Sequence, residues 1–225
     1  MIFTGDNMIK GIIFDADGTL LDSMHFWLSL MGNTLKKYGV NLTPDFIGEI
    51  EYMSPYEACD YTAKRLGLKI TADEMLAEMA GTIKDFYGNK VQAKPGAEAF
   101  LKKLRDAGIK MIVATGTDTP LVSAGLERCG LLEYFIKVIS CADIGARKNE
   151  PDIYRAALEM LGLDKDEVIV LEDALYCAET AVKDGFRVAA VYDESEKEQD
   201  KLKSIADFYI EDYGRAEEFF EKYIR

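Results

Sequence analysis

The chain has 225 residues, room for one domain or for one domain interrupted by a smaller insertion, and 48% of them are apolar, enough for a sizeable core. A formal net charge of −13 opposes binding to nucleic acid or to an anionic membrane surface, and no Lys/Arg cluster supplies a local exception. No apolar run reaches the roughly 18 residues of a transmembrane helix.

The first ten residues, MIFTGDNMIK, lack the charged start and apolar stretch of a signal peptide, and Met8 offers a second start. Ile9 to Phe14 is short, β-branched and apolar, as expected of a buried strand in a parallel sheet. It ends at Asp15, which opens the segment DADGT. From about Leu21 to Val91 the pattern turns helical. SMHFWLSLMGNTLKKYG carries apolar residues at three- and four-residue spacing. Thr43-Pro44 reads as an N-cap followed by Pro at the first helical position. Ser54-Pro55 repeats it with Glu57 placed for a capping box, and Thr71 with Glu74 gives another start. About four helices are expected here.

Alternation begins after Pro95-Gly96. A helix over Ala97 to Ala107 stops at Gly108, and a strand over Ile109 to Ala114 follows. Then come a helix over Pro120 to Cys129, a strand over Ile136 to Ser140 and a helix over Asp152 to Leu161. A strand over Val168 to Leu171, a helix over Leu175 to Lys183 and a strand over Val188 to Val191 continue the series. After a polar link, a strand over Phe208 to Ile210 and a helix over Arg215 to Tyr223 complete the chain. Strands alternating with helices indicate an α/β fold with a doubly wound parallel sheet. The expected division is a catalytic core of residues 1–20 and 92–225, with 21–91 as a separate helical cap inserted after the first strand.

Ligands of such sheets bind beyond the carboxyl ends of the strands. Four polar segments fall there: DADGT, TGTDT, the Lys148 loop and EDA. Asp15 and Asp17 stand two apart on a turn, with Gly18 permitting a sharp backbone path. Two carboxylates that close repel unless a cation compensates. Mg2+ suits the place, because it takes oxygen ligands and keeps waters that a phosphate can replace. One carboxylate can then attack phosphorus while the other handles the leaving-group proton. The Thr115 hydroxyl with the Gly116 and Thr117 amides can hold phosphate oxygens. Lys148 can neutralise a transferring phosphoryl group. Glu172 and Asp173 can complete an oxygen-rich metal site. Taken singly, the last three segments also fit a Thr-Gly turn, a solvated surface lysine, the commoner place for that residue, and a helix-capping acidic pair.

In order, the four segments make the chain resemble the haloacid dehalogenase superfamily, over essentially its whole length, including PDIYRAALEMLGL and AVKDGFRVAAV. The resemblance implies a Rossmann-type core and a Mg2+-dependent phosphatase acting on a small phosphorylated metabolite. By it, Asp15 is the nucleophile, Asp17 the general acid and base, Thr115 and Gly116 phosphoryl-binding, and Lys148 stabilising. Asp15, the Asp17 backbone carbonyl and Asp173 hold the metal, with Glu172 close by. The insertion is similar to the helical cap of the subgroup containing phosphoglycolate phosphatase and β-phosphoglucomutase. Two departures stand out. The family's Lys-Pro-x-Pro is Lys148-Asn149-Glu150-Pro151, and Ala174 and Cys177 stand where Ser and Gly are usual.

Three other readings remain. A β-phosphoglucomutase-like transferase needs a histidine where this chain has Trp27, and a basic pair where it has Glu51 and Pro55. A non-enzymatic phosphoacceptor has no use for a long helical insertion beside the nucleophile. A dead binding module conflicts with site segments that all keep functional side chains. The lone histidine, His25, is expected to occupy an ordinary helix position and Trp27 the cap core. Cys59, Cys129, Cys141 and Cys177 form no CxxC pair and are expected as buried reduced thiols of a cytoplasmic protein. Oligomeric state is left open, a monomer being the expectation.

Overall fold

The computed structural model describes residues 8–41, 43–50, 53 and 55–224. The strands are β1 (Gly11–Phe14), β2 (Leu21–Asp22), β3 (Gln92–Ala93), β4 (Lys110–Thr115), β5 (Val138–Ser140), β6 (Val168–Glu172), β7 (Arg187–Val191) and β8 (Phe208–Ile210). The helices are α1 (Met24–Lys36), α2 (Pro44–Ile50), α3 (Pro55–Leu66), α4 (Ala72–Asn89), α5 (Ala97–Asp106), α6 (Thr119–Arg128), α7 (Cys141–Ile144), α8 (Asp152–Leu161), α9 (Leu175–Lys183), α10 (Gln199–Ile205) and α11 (Glu217–Tyr223).

Six strands form one parallel sheet in the order β5-β4-β1-β6-β7-β8. The two-residue period of a strand divides its side chains between two faces. Ile12, Phe14, Val113, Ile169 and Leu171 face a cluster with Leu126 of α6 and Phe219 of α11. Ile13, Ile112, Ala114, Val168 and Val170 face another cluster with Tyr154 of α8 and Ala178 of α9. Burial on both faces explains why β1 and β6 read as unbroken apolar runs.

Several elements differ from the sequence expectation, among them the short helix α7 after β5. Leu21 and Asp22 are not helical: β2 pairs antiparallel with β3, Leu21 opposite Ala93 and Asp22 opposite Gln92. Strands of two residues are too short to register as alternation. The polar link after β7 contains α10, anchored by Leu202 alone among its buried residues.

The helical starts follow their caps. The Thr43 hydroxyl accepts from the Phe46 amide at 3.3 Å. Thr71 and Glu74 form the reciprocal capping box at the head of α4. The start at Ser54 lies outside the described residues. Between β2 and β3 the chain runs through α1 to α4. Its apolar side, including Leu35, Cys59, Met75 and Tyr87, joins the same cluster as Phe14 and Leu126. Cys59, Cys141 and Cys177 are buried free thiols, whereas Cys129 is only half-buried. Among the described residues no helix is long and apolar enough to cross a membrane.

Candidate active site

The carboxyl ends of β4, β1 and β6 lie side by side, so residues far apart in sequence converge there. Asp15 follows β1, with its amide on the Leu171 carbonyl at 2.9 Å. Lys148, from the segment between α7 and α8, donates to Asp15 Oδ1 at 2.7 Å and to Glu172 Oε1 at 2.5 Å. Tyr154 of α8 donates to the same glutamate oxygen at 2.7 Å. The Thr19 hydroxyl donates to Asp173 Oδ1 at 2.8 Å, and Tyr213 OH holds the Thr19 carbonyl at 3.1 Å. Gly18 has φ +85°, and a Cβ there would collide with the Asp173 carboxylate. Glycine is therefore required twice over, by the left-handed backbone and by the close approach.

Asp17 stands apart from this group. Its Oδ1 accepts from Ser23 Oγ at 2.6 Å and from Tyr87 OH at 2.5 Å. Its Oδ2 is shielded from solvent and has no hydrogen-bond partner among the described residues. Thr115 ends β4 fully buried, and its hydroxyl oxygen accepts the Thr117 amide at 3.1 Å. Gly116 lies against the Lys148 side chain, whose Cγ would be 3.5 Å from a Cβ at that position.

Asp15, Glu172 and Asp173 are buried, and one carboxylate oxygen from each lies within 4.8 Å of the other two. Burial, with the charges of Glu172 and Asp17, pushes the Asp15 carboxyl up to about 7 against the pull of Lys148. Burial, with the charges of Asp15 and Glu172, also holds Asp173 well above the usual carboxylate range. Burial works against the Lys148 ammonium, but the Asp15 and Glu172 charges outweigh it and hold its pKa high. One lysine facing three buried carboxylates leaves surplus negative charge and an all-oxygen donor set. That chemistry fits a hard divalent cation.

The imbalance has a measurable consequence. Asp15 has an ordinary value of 3.8 and a folded value of about 7, so between these pH values the metal-free native chain binds protons more tightly than the unfolded chain. Metal-free stability therefore falls as pH rises through that window. In a chelator, the melting temperature of the native chain relative to Asp15→Asn should drop by roughly 5 °C between pH 5 and pH 7.5. A constant difference between the two proteins would show that Asp15 carries no such penalty.

Glu172 and Asp173 are not a helix cap. The N-cap of α9 is Ala174, which offers no side-chain oxygen. The Leu175 amide instead finds the Glu196 carboxylate at 2.8 Å, which replaces the cap absent from the sequence. Cys177 is buried beside the site, and burial together with the Glu172 charge holds its thiol well above the usual range, in the protonated form. His25 sits at the exposed start of α1, 3.5 Å from Asp22. Trp27 is half-buried, and its indole N–H donates to Tyr87 OH at 3.2 Å.

Sequence reading singled out none of Ser23, Tyr87, Tyr154 and Tyr213. Tyr154 lies within PDIYRAALEMLGL, and Ser23 follows Asp17 by six positions. For Tyr87, 70 positions from Asp17, no local pattern gives a signal.

Several known proteins are similar to this chain. Hexitol phosphatase A of Escherichia coli K12 is 30% identical over 186 residues, covering 81% of this chain and 82% of that protein. The phosphorylated carbohydrates phosphatase of Thermotoga maritima is 24% identical over 177 residues, covering 79% and 82%. A crystal structure of β-phosphoglucomutase from Clostridium difficile superposes with a TM-score of 0.76 at 19% identity, covering 96% of this chain and 97% of that one. The sequence model of the haloacid dehalogenase-like hydrolases matches residues 12–191, a span that runs from β1 to the end of β7 and holds all the strand-end residues described above, and the chain belongs to that family.

Proposed function

We propose that the protein hydrolyses phosphomonoesters of small metabolites, sugar or polyol phosphates foremost, through an aspartyl-phosphate intermediate on Asp15. The observation that carries this reading is the buried Asp15 carboxylate gripped by Lys148 on one oxygen, beside Glu172 and Asp173. Asp15 attacks phosphorus, and the Asp15–phosphorus bond forms as the bond to the leaving oxygen breaks. Asp17 gives that oxygen its proton, then takes one from the water that cleaves the intermediate. Thr115 has its hydroxyl oxygen occupied by the Thr117 amide, which leaves its proton for a phosphoryl oxygen. The Gly116 amide, beside the Lys148 side chain, offers a donor to a phosphoryl oxygen, and Lys148 offsets the charge that develops on the group. Asp15, Asp173 and the Asp17 backbone carbonyl, with Glu172 close by, would hold Mg2+, whose charge when bound would offset the surplus carboxylates and draw electron density from the phosphoryl oxygens.

The helices of 21–91 act as a cap that shapes the space for the leaving group, on a catalytic core of 1–20 and 92–225. The relatives named for carbohydrate and hexitol phosphates support polyol and sugar phosphates as first substrates. The fold shared with a β-phosphoglucomutase does not separate hydrolysis from transfer. What favours hydrolysis is Trp27 at the place of the mutase histidine, since an indole has no basic nitrogen. Of the places of the mutase basic pair, Glu51 lies outside the described residues, and Pro55 at the head of α3 carries no charge.

The test is phosphate release from a panel of sugar and polyol phosphates with no bisphosphate primer. Release should stop in EDTA and return with Mg2+, and Ca2+ should inhibit, its larger and looser shell suiting in-line attack less well. Full activity in chelator would remove the metal from the account. Interconversion of hexose 1- and 6-phosphates faster than phosphate release would make the protein a mutase.

A further inference from the structure

Tyr87 lies in the last turn of α4, and its hydroxyl meets the Trp27 indole and the Asp17 carboxylate, with the Thr117 side chain beside it. The Trp27 indole N–H can only donate, so at 3.2 Å it occupies a lone pair of the Tyr87 oxygen. The phenolic proton goes to the carboxylate, Asp17 Oδ1, at 2.5 Å. Ser23 Oγ reaches the same oxygen at 2.6 Å. Oδ1 is thus held twice, and Oδ2 is left buried and without a partner among the described residues. Burial and the Asp17 charge raise the Tyr87 pKa well above the ordinary phenol value, so it remains a donor.

The pair is anchored on both sides. One residue earlier on each helix, the Phe26 and Phe86 rings stack with centroids 3.7 Å apart, which locks α1 to α4. On the far side, a Cβ at Gly125 of α6 would stand 3.0 Å from Tyr87 Cδ1 and 3.1 Å from Val91 Cγ1, so glycine there lets α4 settle against the core. Where the phenol stands is therefore determined by how α4 rests on α6.

We infer that Tyr87, with Trp27 behind it, is a positioning residue that holds Oδ1 of Asp17 and so reserves Oδ2 for the proton exchanged with the leaving group. In the first step the Asp15–phosphorus bond forms, the phosphorus–oxygen bond to the leaving group breaks, and the proton on Asp17 Oδ2 passes to the departing oxygen. The inference rests on Asp17 being the acid and base of the proposed reaction. It adds a dependence of that residue on two aromatic side chains of the helical insertion.

The experiment compares kcat/KM, with Mg2+ present, for p-nitrophenyl phosphate and phenyl phosphate in the native protein, Tyr87→Phe, Trp27→Phe and Asp17→Asn. The nitrophenolate leaves without a proton, whereas the more basic phenolate needs one. Tyr87→Phe keeps the ring and its packing. It should lower the phenyl phosphate value by about 10- to 100-fold, the size of a lost charge-assisted hydrogen bond. The p-nitrophenyl value should fall by less than about threefold. Trp27→Phe, which frees the phenolic proton to turn, should shift the ratio in the same direction by less. Added to Asp17→Asn, the Tyr87 change should have no further effect. Equal losses on both esters would mean that Tyr87 only seats α4, and unchanged values on both would mean that it plays no part; either overturns the proposal. If Asp17→Asn itself leaves the ratio unchanged, the acid-base reading of Asp17 fails first and takes this inference with it.

Discussion

Asp15→Asn leaves a folded protein whose phosphate release, on every phosphomonoester the native protein turns over, falls by at least about four orders of magnitude. The side chains are nearly isosteric, so the core around β1 is undisturbed. The carboxamide oxygen can still meet Lys148, and Lys148 keeps Glu172 at 2.5 Å, so no buried cation is orphaned. What disappears is the nucleophile, because an amide does not form the acyl phosphate. Stability moves the other way. The ionised Asp15 is disfavoured first by burial and then by the Glu172 and Asp17 charges, and the amide carries none of that cost. In chelator at pH 8 the variant should be more stable than the native chain by about 1–3 kcal/mol. Loss of activity together with gain of stability separates a chemical role for Asp15 from a structural one, for which both would fall. Native turnover in this variant would exclude the mechanism whatever the fold.

The fold and the site were legible in the sequence to different depths. β1 and β6 could be read because strands buried on both faces leave continuous apolar runs, bounded here by Asp15 and Glu172. The helix α4 could be read from its capping box, a local exchange of hydrogen bonds between Thr71 and Glu74. The strands β2 and β3 could not, because each is two residues long and is defined only by the other, 70 positions away. The polar edge of the sheet was legible because strand-end residues are consecutive with strands: Asp15, Thr115 and Glu172 each stand at or next to a strand terminus. Lys148 arrives on an irregular segment, where taken alone it reads as a solvated lysine. Its hydrogen bonds to Asp15 and Glu172 span 133 and 24 positions.

The aromatic support of Asp17 was hidden for a related reason. Trp27 and Tyr87 both fall on apolar faces of their helices, where a sequence reading sees core. Each also carries one polar atom whose partner is fixed by how α1 and α4 pack. Likewise, Ala174 departs from the residue usual in the family, and only the fold shows the Glu196 carboxylate meeting the Leu175 amide at the head of α9.

Asp17→Asn should lose about 10²- to 10⁴-fold in turnover of substrates with basic leaving groups, the range of a proton-transfer contribution. The substitution is accommodated without rearrangement. The carboxamide oxygen can take the place of Oδ1 and accept from Ser23 and Tyr87, and the NH₂ group then falls where Oδ2 has no partner. Asp15 keeps its carboxylate and its lysine, so attack on phosphorus remains possible when the leaving group departs unaided. Water is no longer activated for the second step, so the intermediate outlives its formation.

That lifetime permits the most direct test of the central claim, that Asp15 carries the phosphoryl group. Asp17→Asn is mixed with p-nitrophenyl phosphate and Mg2+, quenched in acid on the timescale of a single turnover, digested and read by mass spectrometry. The account predicts a burst of nitrophenolate matched by a phosphoryl group on the peptide containing Asp15, and its absence when Asp15 is also changed to Asn. Nitrophenolate release with no covalent phosphate, or with the phosphate on another residue, would contradict it.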